Sequence, residues 1–229
     1  MLVLGCQYLK DGVGKVLYKC MNYEGLDESV VSRYIMNTVI HKNIEAPIFE
    51  MRIITGIAKG QQIKSPKGVH LRPTSELTRS MIFSILESMN ADWSLVLDIY
   101  AGTGSLGLEA LSRGADWVDF IEQDPKCCAA INENLSNAGF SDRACVHCMA
   151  AMKAISLLKK RYGIVVMGPP YPDKSFLQVV GNLTASTLVG KGSIIVAEHS
   201  YHLPLESRYG DFNLIKERKH GDTCISIYQ

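Results

Sequence analysis

No run of apolar residues in this 229-residue chain approaches the roughly 18–20 needed to span a bilayer as a helix. The apolar start, Met1 to Cys6, is interrupted by Gln7, Lys10 and Asp11 and lacks a basic leader, so it does not read as a secretory signal. A cytoplasmic location is the expectation. The cysteines offer no even disulfide framework, because there are seven of them. Cys145-x-x-Cys148, with His147 between, has no second pair to complete a four-ligand zinc site. It also sits in a strand-like run, Ala144 to Met149, where residues three apart face opposite sides. Buried, reduced thiols and no bound metal are expected. Repeats and low-complexity tracts are lacking as well.

Net charge is nearly absent, at +1, but it is unevenly placed. From Arg52 to Arg79 the residues Arg52, Lys59, Lys64, Lys67, Arg72 and Arg79 face a single acid, Glu76, for a local charge of +5. A basic arm on a neutral protein is either a solvated face or a surface for an anionic polymer. Residues 1–50 carry no motif. They read as an N-terminal extension that includes a helix-like stretch, Asp27 to Ile40, or as sequence upstream of a start at Met51.

From Met51 the pattern becomes regular. Arg52–Thr55 and Gln61–Lys64 flank Ala58-Lys59-Gly60 and predict a short hairpin. Thr74 or Ser75 caps a helix to about Met89, with Leu77, Met81, Ile85 and Met89 as its apolar stripe, widened by Phe83 and Leu86. Residues 51–90 thus form a basic hairpin-and-helix arm ahead of a larger domain, 91–229. Strands are expected at 95–98, 117–122, 144–149, 163–167 and 192–198, and helices at 105–113, 125–138, 150–161 and 174–188. This alternation predicts an α/β fold with a doubly wound, mainly parallel sheet. The last two strands, Phe212–Glu217 and Thr223–Tyr228, are joined by a hairpin and add an antiparallel end. That end is expected of adenosylmethionine-dependent methyltransferases rather than of dinucleotide-binding domains.

The chain is organised around the stretch from Asp98 through Gly102-x-Gly104-x-x-Gly107, where a buried strand passes through a glycine turn into a helix. Such a turn lets backbone approach a nucleoside-bearing cofactor closely. The spacing formally matches a dinucleotide fingerprint, and Glu122, ending the next strand, suits ribose hydroxyls in either kind of site. Gly107 suits close packing of helix on sheet. What separates the two readings is Gly168-Pro169-Pro170-Tyr171 at the end of the fourth strand of the alternating series. Two prolines hold the chain extended and present carbonyls and a ring beside the cofactor turn, as transfer to a flat exocyclic amine requires. Hydride transfer to nicotinamide has no use for such a corner. The motif holds no Cys or His, which argues against a covalent enzyme intermediate.

In their order and spacing these pieces resemble the RsmD family of 16S ribosomal RNA guanine-N2 methyltransferases. The matching segments are Met51–Gly56, Leu71–Thr74 with Arg79 and Phe83, Asp98–Gly104, Gly107–Ala115, Glu122, Glu133-Asn134, Pro169–Tyr171 and Gly221–Thr223. The resemblance implies a Rossmann-like, seven-stranded class I methyltransferase sheet and S-adenosylmethionine as cofactor. It further implies 16S ribosomal RNA in a small subunit or its assembly intermediate as partner, with the protein acting as a monomer. Asp98, Gly102 and Gly104 would hold the methionine and ribose parts of the cofactor, Glu122 would take the ribose hydroxyls, Tyr100, Ala101 and Gln123 would also contact the cofactor, and Ala150 would stand at the adenine. Arg52, Lys59, Arg72, Thr74 and Arg79 would position RNA, and Gly168, Pro169, Pro170 and Tyr171 the target guanine. Two positions depart from the family pattern: Gly168 replaces an Asp or Asn that accepts from the target amine, and Ala150 replaces an Asp that reads adenine. The readings that follow are an active guanine-N2 enzyme, a binding but weakly active relative, or a methyltransferase for another amine.

Overall fold

The computed structural model describes residues 6–10, 16–20, 51–66, 68–69, 74–170, 173 and 175–229. The chain divides into two units, Met1–Phe49 and Glu50–Gln229. The described part of the first is an antiparallel pair, β1 (Cys6–Lys10) and β2 (Val16–Cys20), in register from Cys6 opposite Cys20 to Lys10 opposite Val16. The sequence reading placed no strand there. The helix-like stretch Asp27 to Ile40 lies outside the described residues.

The second unit is built on an eight-stranded sheet: β3 (Leu95–Ile99), β4 (Trp117–Glu122), β5 (Ala144–Cys148), β6 (Ile164–Met167), β7 (Ile194–Ser200), β8 (Arg208–Tyr209), β9 (Phe212–His220) and β10 (Thr223–Tyr228). Their spatial order is β5-β4-β3-β6-β7-β10-β9-β8. β5 through β7 are parallel, while β10 runs antiparallel between β7 and β9. This is the expected seven-stranded sheet with its terminal hairpin. The two-residue β8 adds a short edge that carries no periodic signal.

The parallel strands read as continuous apolar runs because both faces are covered. Val96, Phe120, Val166, Val196 and Ile225 point into one core; Leu97, Ile99, Ile121, Val165, Ile195 and Tyr228 point into the other. Helices α1 (Glu76–Ser88), α2 (Ser105–Ser112) and α3 (Pro125–Ala138) pack on the first face. Helices α4 (Ala151–Leu157) and α5 (Phe176–Thr184) pack on the second. Chain direction reverses between β3 and β6: the connections from β3 lead through β4 to the β5 edge, and those from β6 lead the other way. Ligands of open α/β sheets bind at the carboxyl edge of such a switch point.

Three local expectations change. The predicted hairpin at 52–64 is held by a single bridge, Arg52 to Gln62, with backbone bonds from Ile53 to Gln61 and from Ile63 to Met51 around it. Helix α1 is capped by Ser75, whose hydroxyl accepts from the Thr78 N–H at 3.1 Å, but its buried face is Thr78, Arg79, Ile82, Phe83, Ile85 and Leu86. Leu77, assigned to the stripe, is 56% exposed. Cys127, Cys128, Cys145, Cys148 and Cys224 are free, but Cys145 is only half-buried and Cys148 is exposed.

Candidate functional site

At the carboxyl edge of β3, Tyr100 takes a positive φ of 65°, a left-handed conformation costly for a bulky residue. This turns the chain sharply out of the sheet. Its ring meets Phe176 edge-on at 6.1 Å, and burial together with Asp173 pushes its phenol pKa up. The Ala101 N–H then donates to the Ile121 carbonyl at 3.0 Å, and the Gly102 N–H to Glu122 Oε2 at 2.8 Å. Glu122 Oε1 accepts from the N–H groups of Gln123 and Asp124 at 2.7 and 2.9 Å. The Glu122 carboxylate therefore fixes both the glycine turn and its own loop. With about four acceptor positions on a carboxylate, it retains capacity for a ligand hydroxyl.

A cavity of about 240 Å³ opens over this turn. Of the sequence-predicted residues, Tyr100, Ala101, Gly102, Glu122, Gln123, Thr74, Gly168, Pro169 and Pro170 line it. Ala150 lines an adjoining depression that shares Tyr100, Gln123 and Pro170. It is the residue before the first turn of α4 and offers no side-chain cap. A Cβ placed on Gly102 would meet nothing nearer than the Tyr100 carbonyl at 3.9 Å, so backbone is open to the cavity here. Leu106, Ile121, Cys127 and Met149 give the walls an apolar surface. An open backbone turn, an acid with spare acceptor capacity and apolar walls fit a nucleoside carrying an amino-acid tail. Asp124 and Cys127 were not singled out from the sequence; they follow from Glu122 by position alone.

Asp98 and Gly104 stand beneath the turn and do not line the cavity. Asp98 is 1% exposed, and its Oδ2 accepts from the Gly107 N–H at 2.8 Å. Burial, opposed by that bond and reinforced by the charge of Glu122, raises its pKa to about 7. Gly107 is close-packed: a Cβ there would lie 2.2 Å from the Phe120 ring.

The residues assigned to RNA separate. Arg52 and Lys59 are exposed. Thr74 turns inward, its Oγ1 donating to Glu198 Oε2 at 2.5 Å. Arg79 is fully buried and so is not presented to a polyanion. Its Nη2 donates to the Arg52 carbonyl at 2.9 Å and its Nη1 lies 4.0 Å from the buried Glu109 carboxylate. Arg72 and Tyr171 lie outside the described residues. Sequence reading also missed Glu198 of β7, which lines the cavity beside Gly168. A lone Glu in an apolar strand carried the only signal.

Residues 51–229 match the family model described as conserved hypothetical protein 95. The chain is 29% identical to YlbH of Bacillus subtilis over 182 residues, covering 78% of this chain and 98% of that one. It is 27% identical over 180 residues to ribosomal RNA small subunit methyltransferase D of Escherichia coli, covering 79% and 90%. The solved structure of Escherichia coli yhhF superposes with a TM-score of 0.68 at 27% identity, over 79% of this chain and 97% of that one. With 51–229 matched by the model and the methyltransferase sheet order in place, the chain belongs to this family of RsmD-type methyltransferases.

Proposed function

We propose that the protein transfers a methyl group from S-adenosylmethionine to the exocyclic N2 of a guanine in 16S ribosomal RNA. The observation that carries the reading is one cavity, at the switch point of a methyltransferase sheet, lined by the Tyr100–Gly102 turn, Glu122 and the Gly168–Pro170 corner. The small-subunit relative supports ribosomal RNA as the substrate class. S-adenosylmethionine supplies an electrophilic methyl group on a sulfonium, already activated, so the protein's task is positioning. Tyr100, Ala101 and Gly102 would hold its amino-acid end, Glu122 its ribose hydroxyls, and Gln123, Met149 and Ala150 would border its base. Pro169 and Pro170 keep the strand end extended and the amine's approach fixed. Of the cations assigned to RNA from the sequence, Arg52 and Lys59 are exposed and would contact phosphates, and Arg72 and Tyr171 keep the roles proposed for them. Thr74 instead bonds Glu198 at the cavity wall, and Arg79 acts inside the protein.

Gly168 favours a second reading, in which the chain binds cofactor and RNA but methylates little. The deciding measurement is labelled methyl transfer from S-adenosylmethionine to small ribosomal subunits lacking the modification, followed by nucleoside mapping. Label on guanine N2 is expected; absence of label, or label on another base, overturns the reading.

A further inference from the structure

We propose that Glu198, reaching in from the neighbouring strand, supplies the side-chain acceptor for the target amine that Gly168 lacks. This rests on the methyl-transfer reading. The register makes the two residues neighbours: Met167 of β6 lies opposite Ala197 of β7, so the next residue on each parallel strand is Gly168 and Glu198. A Cβ built on Gly168 would lie 3.5 Å from Glu198 Oε2 and 3.7 Å from Glu198 Cβ. The Glu198 carboxylate thus stands where a short acidic side chain at 168 would enter the cavity. Both residues line that cavity together with Gly102, Glu122 and Pro169.

The Thr74 hydroxyl, donating at 2.5 Å, aims this carboxylate. In the transfer, the amine nitrogen's electron pair forms the new N–C bond and the S–C pair returns to the donor sulfur. One N–H proton leaves. With four bonds, the exocyclic guanine nitrogen has lost its conjugation with the ring and is far more acidic than a carboxylic acid, so Glu198 takes that proton and passes it to water. A flat, ring-conjugated amine is the substrate class such a carboxylate selects, because an acceptor must hold the N–H while the ring is stacked.

The test is single-turnover labelled transfer to undermethylated small subunits at saturating S-adenosylmethionine, with S-adenosylhomocysteine affinity measured by calorimetry. The proteins compared are wild type, Glu198→Gln, Gly168→Asp and the double variant. Glu198→Gln is expected to slow transfer roughly 30- to 1,000-fold, the range for one removed positioned group, with product affinity unchanged. The double variant, carrying its carboxylate on the other strand, is expected to regain at least about tenfold; a purely structural Glu198 would give no such rescue. A wild-type rate in Glu198→Gln, or no recovery in the double variant, overturns the proposal while methyl transfer stands. An inactive wild type made active by Gly168→Asp also overturns it. Inactivity of all four removes the methyl-transfer reading itself, and the proposal falls with it. Should Glu198→Gln lose product binding, the rates are compared at an S-adenosylmethionine concentration that saturates each protein: a wild-type rate in Glu198→Gln overturns the proposal, and a loss recovered in the double variant supports it.

Discussion

At the scale of single residues, Asp98 separates holding a site from touching a ligand. Its carboxyl is sealed under the glycine turn and its bond goes to the first turn of α2. Burial puts its folded pKa at about 7 against an ordinary 3.8. Above pH 4 the unfolded chain gives up this proton while the folded chain keeps it, so stability from this group is fully present below about pH 4 and is lost as pH rises through about 7. Asp98→Asn can still accept from the Gly107 N–H but has nothing to titrate. The stability of wild type minus that of Asp98→Asn, measured by denaturant titration, is therefore expected to fall steadily between pH 4 and 7 and to level off above. A flat difference would mean that Asp98 is ionised in the folded protein. The strand-end acid and the turn were legible in the sequence, because local spacing specifies them. The face to which Asp98 points was not, since it depends on α2 folding back over β3. Arg79 was misplaced for a related reason: six basic residues in a row of positions look like one surface until a buried acid thirty residues away claims one of them.

That acid, Glu109, works at the scale of elements. It accepts from the N–H groups of Ile54 and Thr55 at 2.7 and 3.0 Å and from Arg113 Nε at 2.8 Å, with Arg79 alongside. The residue 52–64 hairpin is thereby fastened to α2 rather than being stabilised by its own ladder, which explains how one bridge suffices. Ser112 at the end of α2 completes the docking: its carbonyl accepts from Ile57, and its hydroxyl accepts from Ala58 and donates to the Thr55 carbonyl. Gly56 makes this approach possible, with φ of +87° and a would-be Cβ 1.8 Å from the Ser112 carbonyl oxygen. Gly56→Ala must therefore pay both backbone strain and a clash with main chain, and a loss of about 2–4 kcal/mol in denaturant unfolding is expected. Glu109→Ala strands the buried Arg79 guanidinium and two backbone N–H groups and leaves Arg113 with Glu87 alone, and a loss of about 3–5 kcal/mol is expected by the same measurement. A change under about 0.5 kcal/mol in either would mean that the hairpin docks by other means. The element order of the sheet was readable because strand and helix periods alternate cleanly from Leu95 onward. The face of α1 was readable in part: Phe83, Ile85 and Leu86 of the predicted stripe are buried, but Leu77 is exposed and Arg79, drawn to Glu109, takes a buried position that apolar spacing does not signal.

For the whole molecule, what matters is that both cores and the cavity belong to one unit. Among the described residues, both apolar clusters begin at or beyond Met51; the first spans the sheet from β5 to β10 and the second from β4 to β9. The turn at Tyr100, the loop at Glu122 and the corner at Gly168 are all carboxyl ends of parallel strands in that sheet. A ligand that bridges them ties three strands together and can bind only the folded state. The antiparallel end formed by β10 and β9 distinguishes this sheet from a dinucleotide-binding one, although both would carry the same glycine spacing. These two readings differ in which ligand stabilises the protein. Saturation at about 100 times Kd adds about 2.7 kcal/mol to the folded state, and a unit of this size gains roughly 2–4 °C in Tm per kcal/mol. S-adenosylhomocysteine at that excess is accordingly expected to raise Tm by about 5–10 °C, whereas NAD at the same concentration should leave it unchanged. The reverse pattern in a thermal-shift measurement would return the cavity to the dinucleotide reading. If the shift comes from Glu122 and the turn it fixes, Glu122→Ala should abolish most of it. Glu198→Gln, placed on the amine side of the same cavity, should keep it.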